Sequence, residues 1–328
     1  MSGELFLGVD GGGTKTEFVL MDLQGKVRAR HRAGTSYYLQ IGLEGLRQVI
    51  GEGVSAVLDE AQKSPDDILY AFFGLPAYGE DSAIQPQLDA MPAAMLGHRR
   101  YQCGNDMLCG WAGSLAGQDG INIVAGTGSI GYGERQGRRI RAGGWGEIFS
   151  DEGSAYWLAI QGLNTFTRMS DGRLPKGPLH AIFRRHFDLT ADLDICSQLM
   201  GQDAPARDDI AGLSRLVAEA AQAGDARAVR IYDDCAQELA RIVDAIRVRL
   251  GFGAGDFVAL SYSGGVFAVG DLVLDPLRRH LGAYPCIYDL RPPQFAPGVG
   301  AAIYAALLGG ALSAEAWSLQ RWIEGVRA

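Results

Sequence analysis

The sequence lacks the features that mark several classes of protein. It contains no long basic run, and its 38 acidic residues outnumber its 30 basic ones, which gives a formal net charge of −8. We therefore expect no nucleic-acid partner. The N-terminal residues Met1 to Glu4 lack the basic and apolar regions of a signal peptide, so a cytoplasmic protein is expected.

Cysteine is scarce, and its spacing fits neither metal binding nor disulfides. The five cysteines form no C-x-x-C pair, and their number is odd. This arrangement argues against a zinc site and against a disulfide framework. Reduced and mostly buried thiols are the expectation.

Charge is missing altogether from residues 292–314, a stretch long enough to raise the question of a membrane span. Prolines and glycines interrupt the stretch, and much of the remainder is alanine. We interpret it as a loop followed by a buried helix, and we expect no membrane association.

The most informative stretch lies at the start of the chain. Apolar runs from Leu5 to Val9 and from Glu17 to Met21 flank the sequence Asp-Gly-Gly-Gly-Thr-Lys-Thr at 10–16. Two short runs joined by a glycine-rich turn predict a β-hairpin. Glycine admits positive φ and brings no Cβ, so the turn can approach a ligand closely, and its N–H groups can bind an anion. The alternative is an ordinary hairpin turn.

The charged residues of this turn favour phosphate held with a divalent cation. Asp10 by itself would repel a phosphate, but a cation between the two groups would reconcile them. A Walker A loop is excluded because Thr14, not glycine, precedes Lys15. A dinucleotide fingerprint is excluded because a strand-like run, not a helix, follows the glycines.

The segments after this hairpin alternate between strand and helix patterns. We predict a third strand over Val27–Arg32, a helix over Ile41–Ala61, a strand over Ile68–Leu75, a helix over Ser82–Leu96, a strand over Arg99–Cys103 and a helix over Met107–Leu115. Such a pattern is typical of an α/β domain with a mixed sheet.

The opening pattern then recurs. Strand-like runs over Ile121–Ala125 and Ile130–Glu134 flank the turn Gly-Thr-Gly-Ser at 126–129. A second strand, glycine turn and strand indicate that the protein consists of two similar halves. The alternative is another small-residue hairpin without a ligand.

The remaining segments add a helical insertion and a third glycine turn. Asp151 precedes a run of helix formers, so it is a candidate N-cap as well as a candidate ligand residue. Residues 171–224 are polar and predict a helical insertion. The further predictions are a helix over Ala226–Leu250, a strand over Phe257–Ser261, a glycine turn over Ser263–Val266, a helix over Asp271–Leu281, a strand over Cys286–Leu290, a helix starting at Pro297 and a final helix from Ser313.

In this order, the pieces resemble the sugar-kinase/actin-like ATPase superfamily. Within it they resemble the N-acetylglucosamine kinase family, which includes bacterial glucosamine kinases and benzoyl-CoA reductase-activating ATPases. The resemblance extends from Gly8 to about Leu308. Its most specific parts are DGGGTKT at 10–16, ND at 105–106, GTGS at 126–129, GGWG at 143–146, DEGSAYW at 151–157 and SGGV at 263–266.

The resemblance implies an α/β fold of two similar actin-like (ribonuclease H-like) ATPase domains with mixed sheets around a central cleft. The N-terminal domain would cover 1–115 and be joined by a C-terminal helix over about 313–328. The C-terminal domain would cover 116–312 and carry the insertion over about 171–224. We also expect a homodimer.

The resemblance further implies an ATP-dependent kinase that phosphorylates a hydroxyl, on C6, of an amino sugar such as N-acetylglucosamine or glucosamine. Asp106 would be the catalytic base, and Asp10 would help to hold Mg²⁺. The nucleotide would contact Gly11, Gly12, Gly13, Thr14, Lys15, Thr127, Gly128, Ser263, Gly264 and Gly265. The sugar would contact Asp106, Gly144, Trp145, Asp151, Ser36 and Tyr37.

Two of these residue assignments, and the function itself, have alternatives. The family commonly has an asparagine in the loop after the third strand, where this chain has Tyr37, whose phenol cannot supply both an amide donor and an amide acceptor. Asp106 could also simply cap the helix that begins at Met107. The alternative functions are an activating ATPase, which needs cysteines that bridge an iron–sulfur cluster, and a non-catalytic sugar sensor.

Overall fold

The structure is a computed structural model that describes residues 5–200 and 204–310. Within these residues the strands are β1 (Leu5–Gly11), β2 (Thr16–Asp22), β3 (Val27–Ala33), β4 (Ile68–Leu75), β5 (Tyr101–Asn105), β6 (Gly120–Ala125), β7 (Ser129–Arg135), β8 (Arg138–Gly143), β9 (Phe257–Ser263) and β10 (Ile287–Arg291). The α-helices are α1 (Tyr38–Ala61), α2 (Gln85–Leu96), α3 (Met107–Leu115), α4 (Ala155–Ser170), α5 (Pro178–His186), α6 (Ile195–Met200), α7 (Arg207–Gly212), α8 (Ser214–Gln222), α9 (Ala226–Leu250), α10 (Asp271–Leu281) and α11 (Pro297–Leu308).

Residues 5–118 and 293–310 form the first of two compact units. Its sheet has the order β3-β2-β1-β4-β5. The β1–β2 and β2–β3 pairs are antiparallel, and the β1–β4 and β4–β5 pairs are parallel. Alternate residues of β1 face opposite sides: Leu7 lies in the core cluster that contains α1, whereas Gly8 lies against Ala302 of α11. Apolar residues on both faces of β1 account for its continuous hydrophobic run.

Residues 119–292 form the second unit. Its sheet has the order β10-β9-β6-β7-β8, with β6 central, its hairpin partners on one side and two parallel strands on the other. This is the same arrangement as in the first sheet. The two mixed five-stranded sheets with their helices confirm the predicted α/β fold.

The predicted insertion is helical and belongs to the second unit. The helices α5, α7 and α8 pack against α4 or against one another, and α8 also packs against α9. Their apolar faces join the core of this unit, in which Phe166 and Phe183 stack at a centroid distance of 5.8 Å. The insertion therefore enlarges the hydrophobic core of the second unit.

Several boundaries differ from those predicted. The helix α11, placed by sequence in the C-terminal domain, packs against α3 and β1 of the first unit because its glycines permit close contact. A Cβ on Gly300 would lie 2.1 Å from the carbonyl oxygen of Cys109. The first unit extends to Gln118, three residues beyond the predicted 115. The helix predicted from Ser313 lies outside the described residues.

The charge-free stretch forms a loop and then the buried helix α11 as far as it is described. Among the described residues, no helix combines the length and the hydropathy that a membrane crossing requires.

Candidate active site

Parallel strands of the first sheet end at a common edge, and several candidate residues lie there. Asp10 of β1 is opposite Gly74 of β4, and Leu75 of β4 is opposite Asn105 of β5. Asp106 follows β5 directly. Open α/β sheets bind ligands beyond the carboxyl ends of their strands, so this edge is a plausible site on topology alone.

Gly74 allows the start of α3 to approach this edge. A Cβ at Gly74 would lie 2.2 Å from Sγ of Cys109 and 3.3 Å from Cα of Asp106. The Cys109 thiol donates a hydrogen bond to the carbonyl of Val9 at 3.6 Å. Sequence reasoning missed Gly74 and Cys109, although a glycine inside an apolar strand is a known sign of close backbone approach.

The carboxylates at this edge repel one another. Burial, with smaller contributions from the charges of Asp106 and Glu17, raises the pKa of Asp10 to about 7, although the Cys109 thiol and Lys15 act in the opposite direction. Asp106 itself makes no capping hydrogen bond to α3; Oδ1 of Asn105 accepts from the N–H of Met107 instead. Helix capping therefore does not explain why a carboxylate stands at 106.

This donor set fits Mg²⁺. A divalent cation next to Asp10 would stabilise the ionised carboxylate against burial and against the neighbouring negative charge. Within residues 5–200 and 204–310, no group of three or more histidine, cysteine, aspartate or glutamate side chains could hold a metal ion. Mg²⁺ usually needs no such cage, because it binds one or two carboxylates together with water and substrate phosphates.

The glycine turn after β1 needs its glycines for space rather than for backbone conformation. None of Gly11, Gly12 and Gly13 has φ in the left-handed region, which differs from the expectation of positive φ. A Cβ on Gly11 would lie 2.4 Å from Oγ of Ser36, and one on Gly12 would lie 2.8 Å from the carbonyl of Lys15. Gly13, Thr14 and Lys15 are exposed and available to a ligand.

The loop before α1 lies against this turn. Oγ1 of Thr35 donates a hydrogen bond to the carbonyl of Gly12 at 3.0 Å and accepts one from the N–H of Tyr37 at 3.0 Å. The hydroxyls of Thr16 and Ser36 are buried and have no hydrogen-bond partner among the described residues. Buried hydroxyls are usually satisfied, so unpartnered ones beside the turn mark a place for a bound polar group. The ring of Tyr37 packs against the hydrophobic core of the first unit.

In the second unit, the start of α4 organises the turn at 126–129. The N–H groups of Ala155 and Tyr156 donate to the carbonyls of Gly126 and Thr127 at 2.8 and 3.3 Å. The next N–H, of Trp157, donates to Oγ of Ser154 at 3.1 Å. The N-cap is therefore Ser154, and the interpretation of Asp151 as the cap is wrong. These helix N–H groups hold the turn rather than a ligand.

Asp151 lies beside the turn with φ of 60° and is 3% exposed. A Cβ on Gly128 would lie 2.6 Å from its Oδ2. Nη2 of Arg207, at the start of α7, donates to the same oxygen at 2.6 Å. Burial raises the pKa of Asp151, whereas Arg207 and the backbone N–H groups of Gly146 and Ser129 counteract part of that increase. Sequence reasoning missed Arg207, because nothing local distinguishes one arginine in a polar insertion.

The third glycine turn lies against the second. Ser263, the last residue of β9, pairs with Val124 of β6. Gly264 has φ of 104°, and a Cβ there would lie 2.3 Å from the carbonyl oxygen of Ala125. Gly265 starts a short 3₁₀ helix and has open space where a Cβ would be. The structure thus brings the 126–129 and 263–265 turns together.

The loop with Gly144 and Trp145 borders a pocket of about 490 Å³ in the second unit. Gly144 has φ of 70°, and a Cβ there would lie 2.5 Å from Cδ1 of Ile130. Trp145 is 72% exposed, with the guanidinium of Arg141 at 5.7 Å from its ring centroid. Phe149 and Glu152 also line the pocket, which has the size of a small-molecule site.

Comparison with known proteins relates most of the chain to an ATPase family and to sugar kinases. Residues 7–305 match the model of the BadF/BadG/BcrA/BcrD ATPase family. The chain is 29% identical to an N-acetyl-D-glucosamine kinase of Dictyostelium discoideum over 93% of this chain and 98% of that protein. It is also 29% identical to an N-acetylmuramic acid/N-acetylglucosamine kinase of Clostridium acetobutylicum, over 85% of this chain and 91% of that protein.

The fold is shared with a solved bacterial structure. A crystal structure from Chromobacterium violaceum, of a protein proposed to be an N-acetylglucosamine kinase, superposes with a TM-score of 0.68 at 24% identity. The match covers 94% of this chain and 100% of that one. At this identity the similarity establishes the fold.

Proposed function

Because the chain belongs to the BadF/BadG/BcrA/BcrD ATPase family, we propose that it is an ATP-dependent kinase acting on an amino sugar such as N-acetylglucosamine or glucosamine. The observation that carries this proposal is the pair of carboxylates, Asp10 and Asp106, at the strand edge beside the glycine turn. The kinases of Dictyostelium discoideum and Clostridium acetobutylicum support the substrate class, because similarity to each extends over most of both chains.

In this reaction Asp106 would accept the proton of a sugar hydroxyl, the one on C6. Phosphoryl transfer otherwise depends on positioning and on neutralising charge, which suits a site of backbone amides and few side chains. Asp10 would hold Mg²⁺, which when bound neutralises phosphate charge. We assign different roles to the two carboxylates because Asp106 lies between β5 and α3, whereas Asp10 adjoins the glycine turn.

The remaining candidate residues divide between nucleotide and sugar. In the first unit, the exposed part of the turn, Gly13 to Lys15, would bind phosphate. In the second unit, Thr127 and Gly128 would bind phosphate, and Ser263 to Gly265 would line the adenosine site. The sugar side would consist of Ser36, Tyr37, Gly144, Trp145 and Asp151.

The activating-ATPase alternative is disfavoured by the positions of the cysteines. Cys103, Cys109, Cys235 and Cys286 are buried, and Cys196 is exposed in the insertion. Buried thiols cannot reach across to another chain to bind a shared iron–sulfur cluster. The other alternative is a non-catalytic sugar sensor. Measuring ADP formation distinguishes the two, because a kinase releases ADP when the sugar is added and a sensor does not.

The test is a kinase assay with ATP and Mg²⁺ over a panel of glucosamine, N-acetylglucosamine, N-acetylmannosamine, N-acetylmuramic acid and glucose, with the product mapped by NMR. We expect turnover of an amino sugar with the phosphate on O6. Asp106→Asn should lower kcat by roughly 10²- to 10⁴-fold, the usual contribution of a general base, with little change in the affinity for ATP.

A matched control is Asp171→Asn, which removes a surface carboxylate paired with Arg173 in the insertion. It should leave kcat unchanged. Retention of more than about a tenth of wild-type kcat by Asp106→Asn would refute the base assignment. We also propose a homodimer, which light scattering on the purified chain would test.

A further inference from the structure

An arginine of the insertion, remote in sequence from every glycine motif, binds the loop that carries the candidate sugar residues. Nη2 of Arg207 lies 2.6 Å from Oδ2 of Asp151, and its Nε lies 3.0 Å from Oε2 of Glu147. The guanidinium therefore joins two carboxylates of one loop to the first residue of α7. A planar group with donors on separate edges can hold two acceptors at once.

This contact is more than a surface ion pair. The Arg207 side chain is 41% exposed, but that of Asp151 is 3% exposed, so the shared interaction is shielded from water on the carboxylate side. Charge-assisted hydrogen bonds to buried groups are strong, and a buried carboxylate without its partner is unfavourable. The turn also confines the pair, since a Cβ on Gly128 would lie 2.8 Å from Nη2 of Arg207.

Direct phosphate binding is a poor interpretation of Arg207. One guanidinium faces the two carboxylates of Asp151 and Glu147, so the cluster carries a net negative charge when both are ionised. Glu152 adds a further acidic group, with its Oε2 accepting from the hydroxyl of Ser150 at 3.2 Å. These carboxylates disfavour an anion as a direct ligand of Arg207, and Asp151 suits a neutral or cationic ligand that bears hydroxyls.

The carboxylate of Asp151 can accept a further hydrogen bond from a ligand. A carboxylate can accept about four hydrogen bonds. Arg207 supplies one at 2.6 Å, and the backbone N–H groups of Gly146 and Ser129 help to lower the pKa of this carboxyl. The Arg207 hydrogen bond fixes the orientation of the carboxylate, and its remaining lone pairs leave acceptor capacity for a substrate hydroxyl.

From this geometry we infer that Arg207 is a positioning residue for the sugar: it orients Asp151 and keeps it available as a hydrogen-bond acceptor for a sugar hydroxyl. The inference rests on the proposed kinase function and adds the insertion to the determinants of sugar binding. Arg207 acts through Asp151, so its loss should affect sugar binding more than the chemical step or the nucleotide.

Removal of Arg207 also has a predictable pH signature. Burial raises the pKa of Asp151, and Arg207 is the cation that opposes this effect. Glu147 and Glu152 are the other titratable groups of this loop, and their charges favour protonation of a neighbouring carboxylate. Without Arg207 the pKa of Asp151 rises further, so the acidic limb of kcat/KM for the sugar should move to higher pH.

The experiment compares wild type, Arg207→Met, Arg207→Lys and the control Arg185→Met. Arg185 makes an exposed ion pair with Glu219 in the same insertion, outside the site. We expect KM for the sugar to rise roughly 10- to 100-fold in Arg207→Met, the range for a lost hydrogen bond to a charged group. KM for ATP and kcat at saturating sugar should change less than about threefold, because Arg207 acts on the sugar only through Asp151. Arg207→Lys should restore part of the loss, and Arg185→Met should match wild type.

Several results separate this inference from the proposed function. If wild type phosphorylates the sugar and Arg207→Met keeps its sugar KM and pH profile, the inference is overturned while the function stands. The inference is also overturned if Arg207→Met lowers Tm without changing the kinetics. It is overturned as well if kcat and both KM values change together and Arg207→Lys restores none of them. If wild type lacks turnover, calorimetric titration of sugar into wild type and Arg207→Met decides instead. Absence of sugar binding to wild type would overturn both proposals.

Discussion

At the scale of single residues, Asp151 and Ser154 lie in one loop but have different physical roles. Ser154 is buried, and its hydroxyl accepts from the N–H of Trp157 to cap α4. Asp151 accepts from Arg207 and borders Gly128. A stability effect and a substrate effect should therefore separate cleanly between two residues that are three positions apart.

Ser154→Ala should lower the free energy of unfolding by about 1 kcal/mol, the usual value of an N-cap. Asp151→Asn should instead raise the sugar KM, because the amide has lost one of the carboxylate's acceptors and presents a donor to Arg207. Chemical denaturation and sugar kinetics on both variants make the comparison. An unchanged sugar KM in Asp151→Asn would show that Asp151 serves only to hold the loop.

Sequence reasoning located two candidate residues at places where a motif and a strand end coincide, and their roles stay predictions. Asp10 and Asp106 lie at the edge where topology places ligands. It failed for Arg207, whose contact with Asp151 spans 56 residues and depends on how α7 packs against α4. No local pattern encodes such a contact, because the sequence around Arg207 is merely polar.

At the scale of elements, Asp225 ties α5 to α9. Its Oδ1 accepts from the N–H groups of Arg227 and Ala228, which caps α9, and its Oδ2 accepts from the N–H of Leu179 at 2.9 Å. The carboxylate is 4% exposed. Two helices therefore depend on one buried side chain for their first N–H groups.

Asp225→Ala should destabilise the protein by roughly 2–4 kcal/mol, combining a lost cap with an unsatisfied buried N–H group. Asp225→Asn keeps an acceptor and should cost less. The control Asp194→Ala removes an exposed carboxylate that accepts from the N–H of Ala191. Urea unfolding measures all three, and equal losses for Asp225→Ala and Asp194→Ala would contradict the assigned double role.

The insertion also carries an acid-sensitive cluster centred on Asp192. Burial alone would raise the pKa of this carboxyl, but hydrogen bonds from His180, Lys176 and Arg184 outweigh it and hold the pKa well below its usual value. A depressed folded-state pKa contributes stability above the unfolded value, near 3.9, and loses it as the pH falls below that.

Asp192→Asn should therefore reduce stability at pH 7 and flatten its decline below about pH 4. Thermal unfolding between pH 3 and 7 measures both effects. The exposed pair of Asp171 and Arg173 is the comparison, because exposed ion pairs contribute little. Parallel pH profiles of wild type and Asp192→Asn would show that the cluster does not couple protonation to folding.

The accuracy of the predicted helices and strands depended on how regular the spacing of apolar residues is in each segment. The helices α3, α9 and α10 have the predicted bounds, since their apolar spacing and end signals are strong. The strand β8 was missed because its sequence, Arg-Arg-Ile-Arg-Ala-Gly, is charged, as suits an edge strand. The start of α1 was placed late because Gly42, with φ of 71°, interrupts the helical pattern.

At the scale of the whole molecule, the repeated strand order explains why the hairpin signal appeared twice in the sequence. Each sheet has a central strand followed by a glycine turn, at 12–15 and at 126–128. The sequence predicted this repeat from local patterns. The assignment of α11 to the first unit could not be predicted, because it follows from glycine contacts with β1 and α3 rather than from chain order.

Ligand binding should stabilise the whole chain in a metal-dependent way. A non-hydrolysable ATP analogue at about 100 times its Kd should add about 2.7 kcal/mol to the free energy of unfolding. For a chain of this size the gain corresponds to a rise in Tm of roughly 5 °C. The stabilisation should be lost in EDTA, because Asp10 and the phosphates would then face one another without a neutralising cation.

The variant that tests the metal assignment is Asp10→Asn, which keeps the size of the side chain but removes the charge that holds Mg²⁺. Its Tm without ligand should stay near or above that of wild type, because burial and the charges of Asp106 and Glu17 oppose ionisation of Asp10. Its gain in Tm from the analogue with Mg²⁺ should fall to that of wild type in EDTA. Asp59→Asn, on the exposed face of α1, is the matched control and should respond as wild type does. Equal stabilisation of Asp10→Asn and wild type by the analogue with Mg²⁺ would remove Asp10 from the metal site.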